Sequence, residues 1–134
     1  MVKKLLLCMS VAALAGCAAG RPSVRLSDLQ TDIHVRDQRH LKMDFPKIQM
    51  ALFEHQRVCG SAPTFAVDSN DPSRATITLK MRPGAGWGHT VLVDLTFLSD
   101  LTVKATTYSY YAGVDKQVAQ IFAAIAHPKV CPKP

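Results

Sequence analysis

Between Thr64 and Ala112 the apolar residues recur every second position, and on either side of that stretch they recur at helical spacing. Ala75, Ile77, Leu79 and Met81 alternate with Thr76, Thr78, Lys80 and Arg82. Val91, Val93, Leu95 and Phe97 alternate with Thr90, Leu92, Asp94, Thr96 and Leu98; Leu101, Val103 and Ala105 alternate with Thr102, Lys104 and Thr106. A strand sends successive side chains to opposite faces, so each run predicts a strand with one apolar and one wet face. Thr64 to Asp68 is a candidate fourth strand, before an Asn70-Asp71-Pro72 turn. Thr31 to Arg36 alternates as well and reads as a short edge strand.

The same alternation limits the hairpin between the last two runs. A two-residue loop at Ser99-Asp100 would set Leu95 against Lys104, on opposite faces, so an odd loop is required. A three-residue loop, Leu98-Ser99-Asp100, pairs Phe97 with Leu101, Leu95 with Val103 and Asp94 with Lys104, with Asp100 suited to a left-handed backbone.

Two helices flank the strands. Asp44-Phe45-Pro46 is a helix start, a capping carboxylate with proline in the first turn, where its missing N–H costs nothing. Ile48, Ala51, Leu52, His55 and Cys59 follow at helical spacing and Gly60 supplies the stop. The second helix runs from about Val114 to Ala126, with Asp115 as the cap, an apolar stripe of Val118, Ile121, Phe122 and Ile125, and His127-Pro128 at its end. The 134 residues suit one domain. The expected fold is α+β: an antiparallel sheet of three to four strands with two helices packed on one face, in the order helix–strands–helix.

The first residues carry a different message. Lys3 and Lys4 precede an apolar run from Leu5 to Ala15, broken only by Ser10, as in a signal peptide. That run falls short of the roughly 20 apolar residues of a membrane-spanning helix. It ends in Leu14-Ala15-Gly16-Cys17, which resembles the lipobox of bacterial lipoproteins; the likeness covers residues 1–17 only. It implies cleavage after Gly16, a diacylglyceryl thioether on Cys17 and acylation of the new amine, the palmitate-type anchor of that family. Several buried chains hold a protein effectively permanently, at about 0.8 kcal/mol per methylene. Ala18 and Ala19 stand where an aspartate would resemble an inner-membrane retention signal. By analogy the destination is the inner leaflet of the outer membrane, with the domain facing the periplasm. The organisation is then a signal peptide (1–16), a lipidated cysteine and tether (17–30) and one periplasmic domain (31–134).

Loss of Lys3 and Lys4 leaves 14 basic and 10 acidic side chains, a net +4. With Cys17 lipidated, Cys59 and Cys131 remain in a compartment that permits oxidation. A disulfide between them is the expected outcome, with free thiols or a metal pair as the alternatives. The absence of a Cys-x-x-Cys spacing disfavours redox catalysis.

Little else in the chain points to chemistry. There is one glutamate, Glu54, and no Gly-x-Ser-x-Gly, His-Glu-x-x-His or glycine-rich phosphate loop. The reading is non-enzymatic, with no cofactor. His34, His40, His55, His89 and His127 contain no i,i+4 pair, so a metal site would depend on the fold; none is expected. Pro83-Gly84-Ala85-Gly86-Trp87-Gly88-His89 sets the only tryptophan among glycines. Trp87 either projects as a contact residue or folds back to cap the core. Tyr108 and Tyr110 extend the wet row of Thr102, Lys104 and Thr106, with Lys80 and Arg82 near it. Trp87, Tyr108, Tyr110, Lys104 and Arg82 are therefore the candidate binding surface, and a plain solvated face is the alternative. The functional expectation is a lipid-anchored interaction or assembly module that meets the membrane through its lipid and an envelope protein through its domain, with no nucleic-acid partner. A lipoprotein that binds a small ligand, glycan or metal is the competing reading.

Overall fold

The computed structural model describes residues 22–134; the expected signal peptide and the expected lipidation site, Cys17, lie outside the described residues. The period-two runs form strands as expected. They are β3 (Arg74–Lys80), β4 (Thr90–Phe97) and β5 (Val103–Tyr108), joined by β2 (Thr64–Val67) and β1 (Val35–Leu41). The sheet is fully antiparallel, in the order β1-β5-β4-β3-β2. The fold is α+β with five strands and three α-helices; after a one-turn helix its order is strand, helix, four strands, helix, rather than helix–strands–helix with three to four strands.

The edge strand lies later than Thr31–Arg36. Asp32–His34 is a 3₁₀ turn, and β1 begins at Val35. The seven residues of β1 hold only two aliphatics, Val35 and Leu41, so no alternation marks it. Backbone pairing with β5 makes it a strand; context of this kind routinely overrides β-propensity.

α2 (Phe45–Cys59) starts and stops as its sequence predicts. Asp44 Oδ1 accepts the Lys47 N–H at 3.0 Å, and Gly60 closes the helix at φ 80°, a conformation that glycine adopts without steric cost. α3 (Asp115–Ala126) differs by one position. Val114 is its N-cap, and Asp115 is the first helical residue, where its charge meets the positive end of the helix dipole. Ile48 and Leu52 of α2 and Val118, Ile121 and Ile125 of α3 close over Ile77, Val91, Val93, Leu95, Val103 and Ala105 to form the core. Cys59 and Cys131 form a disulfide, with Cα atoms 5.4 Å apart. Buried His55, one turn before Cys59, donates from Nδ1 to the Pro128 carbonyl at 2.9 Å and so fixes the segment that carries Cys131.

The β4–β5 loop has the required odd parity but a different register. Phe97 pairs with Val103, Leu95 with Ala105 and Thr96 with Lys104, two residues along from the expected pairs. Leu101, not Asp100, takes the left-handed backbone, at φ 64°. Asp100 instead accepts the Thr102 N–H at 3.0 Å and the Thr102 hydroxyl at 2.6 Å. Asp94 therefore lies opposite Thr106, and its expected pairing with Lys104 does not form.

The second face of the sheet is not wholly wet. A one-turn helix, α1 (Leu26–Leu29), lies across it in the segment expected as tether. Val24 packs against Gly88, where a Cβ would sit 3.3 Å from its Cγ2, and Gln30 Nε2 donates to Asp94 Oδ2 at 2.7 Å. Along this strap Leu29 is fully buried, as is Leu92, the one aliphatic within β4 that points away from the helices.

Candidate interaction surface

A groove of about 560 Å³ opens between β1 and α3. One wall is β1, an edge strand whose outward backbone groups face no strand neighbour among the described residues. Arg36 forms a bulge there, donating through Nε to the Ser109 carbonyl at 3.0 Å. Asp37 and Arg39 stand on the face where an interior strand would carry apolar side chains. Arg39 bonds Asp37 at 2.7 Å and lies 3.8 Å over the Phe122 ring. The cation thus covers the aromatic face that bulky aliphatics would otherwise seal. The other wall is α3, where Ala119, Ala123 and Ala126 are exposed. Their small side chains leave the groove open.

A second feature occupies one end of the sheet, where β1 begins, β5 ends and the β3–β4 loop turns. His34 and Tyr110 rings lie 4.9 Å apart, Tyr110 and Tyr111 5.2 Å, and Tyr111 and His89 5.5 Å, a continuous run of four rings. Arg36 Nη2 donates to the Tyr110 carbonyl at 3.4 Å. Trp87 opens the 3₁₀ turn Trp87–His89 and is half-buried over Thr78, Lys80 and Thr90, against a hollow of about 220 Å³. It neither projects freely nor caps the core between helices and sheet; it folds onto the second face.

Midway along that face, Asp94 borders a hollow of about 330 Å³ with Arg74, Thr76 and Gln30. Burial pushes its carboxyl pKa up, against the opposing effects of the Gln30 hydrogen bond and the Arg74 charge. Burial likewise raises Tyr108, which lies opposite Leu92, and the nearby Asp94 charge adds to the rise.

The five residues expected to share a surface are divided. Trp87, Arg82 and Tyr110 are at the aromatic end; Tyr108 is half-buried beside the strap; Lys104, opposite Thr96 and His40, is toward the other end. Tyr111 and the contacts of His34 with Tyr110 and of His89 with Tyr111 were not read from the sequence, although Tyr110-Tyr111 and Trp87-Gly88-His89 are adjacent in the chain. Sequence reasoning also missed the groove. Charged residues on the helix-facing side of β1 are its only signal, and that side is undefined until the strand is placed.

Among the described residues, no group of three His, Cys, Asp or Glu side chains is arranged to hold a metal ion. No helix among them is long and apolar enough to cross a membrane. No family model matches the chain, and no curated protein matches it.

Proposed function

We propose that this protein is a lipid-anchored, non-catalytic module of the cell envelope, held by Cys17 in the inner leaflet of the outer membrane, which captures a protein partner in the β1–α3 groove. The Leu14-Ala15-Gly16-Cys17 lipobox supports the anchor. The groove carries the interaction reading. An extended segment laid in it meets the free edge of β1 on one side and the alanine row of α3 on the other, the arrangement that strand addition exploits. The bulge and charges of β1 protect that edge from indiscriminate pairing, so selectivity is built into the same wall.

At about 560 Å³ the groove also falls within the volume range of small-ligand sites, which keeps the ligand-binding reading in play. One experiment addresses both. The mature lipoprotein and its Ala119→Arg variant are used to capture partners from solubilised envelopes, with retained proteins and small molecules identified. The proposal expects a discrete protein that the variant loses while its melting curve stays unchanged. The same protein retained by both forms contradicts the groove, and a retained small molecule with no protein favours the ligand reading.

A further inference from the structure

We infer that the aromatic end of the sheet rests on the lipid bilayer that holds the protein's own anchor; this extends the anchored reading above and depends on it. The first support is chain length. Val24 is fixed against Gly88, in the turn that carries Trp87. Val24 is seven positions after Cys17, a reach of about 25 Å when fully extended. Val24 is therefore held within about that distance of the lipidated cysteine, which favours this end of the sheet as the one nearest the membrane surface.

The second support is what that end displays. Ile33 is 76% exposed, Tyr111 51%, Tyr110 39% and Met81 37%, and the half-buried Trp87 stands among them. Single exposed apolar residues are ordinary; here they meet at one rim, held by the Met81 N–H to His89 carbonyl bond at 3.0 Å and the His34–Tyr110 contact. Tyrosine and tryptophan, each an apolar ring with a polar tip, suit the headgroup layer. Lys80 lines the hollow beside Trp87 and Arg82 lies in the same loop, both suited to an anionic leaflet; Asp32 precedes Ile33 in the chain.

Trp87 is the only tryptophan and is therefore a built-in probe. The lipidated protein is reconstituted into phosphatidylethanolamine–phosphatidylglycerol vesicles, with and without a headgroup spin-labelled lipid. The inference predicts that Trp87 emission shifts to the blue and is quenched by the spin label. Ile33→Ser with Tyr111→Ser should lose most of that quenching at an unchanged melting temperature. Arg82→Gln should weaken membrane contact about five-fold, the effect of one basic side chain near an anionic surface. Protein that floats with the vesicles while its tryptophan is untouched by the label overturns this inference and leaves the anchor standing. Protein that does not float overturns the anchor and this inference with it. Shielding of Trp87 by an added envelope protein instead of by lipid assigns the end to protein contact and also overturns the inference.

Discussion

Leu101 holds a left-handed backbone with a side chain that is 72% exposed, so the strain buys no packing. A non-glycine residue there costs about 1–2 kcal/mol, and glycine gives back part of that gain in chain entropy. Leu101→Gly should therefore raise stability by about 0.5–1 kcal/mol, read as a higher denaturant midpoint at constant m-value. Asp94 gives a pH signature. Its folded pKa lies above the ordinary 3.8, so the charged form is the disfavoured one in the native state. Its contribution is fully present below 3.8 and is lost as pH rises through the raised value. Asp94→Asn should remove that segment of the stability–pH curve while leaving the acid end unchanged. Asp100 has the opposite sign. The Thr102 hydroxyl and N–H hold its pKa below the ordinary range, so its stabilising effect is present above 3.8 and fades as pH falls through the lowered value.

Among the elements, α2, β3, β4 and α3 were legible because each satisfies a local rule as well as the fold. Asp44 and Gly60 bracket one helix, and strict alternation marks the strands. The elements that were not legible depend on distant partners. β1 is a strand only because β5 offers it a ladder, and Arg39 can occupy its inner face only because Phe122 lies beneath the guanidinium. α1 is one turn long and takes its place from Leu29 and the Gln30–Asp94 bond. Leu92, an aliphatic in a polar row, was the one trace of that strap in the sequence. Leu29→Ala should cost about 2–5 kcal/mol if the strap unfolds with the domain, measured by chemical denaturation. The hairpin shows how far side-chain parity reaches. It requires an odd loop, but the choice among odd loops was made by Asp100 closing on Thr102.

At the scale of the molecule, the disulfide ties the ends of the two longer helices, while the strap that leads back toward the proposed anchor lies on the other face of the sheet. The Cys59–Cys131 bond closes 72 residues, which spans all of β2 to α3. The chain-entropy account assigns such a loop about 4 kcal/mol, comparable to the whole margin of a small domain. Cys59→Ser should lower the melting temperature sharply under oxidising conditions and make no difference once the wild type is reduced. An unchanged oxidised melt would contradict the staple. The strap fixes the chain's entry next to Trp87, on the face away from the helices, while the groove opens on the helix side between β1 and α3. The two proposals, membrane contact and partner capture, fall on separate surfaces, and each is predicted to be lost without the other. The most direct test of the capture claim is site-specific photocrosslinking in intact cells, with a benzophenone amino acid at Ala123 in the groove and, separately, at Ser99 in the β4–β5 loop. The account predicts a discrete protein adduct from Ala123 and none from Ser99; adducts from Ser99 alone, or none from Ala123, would contradict it.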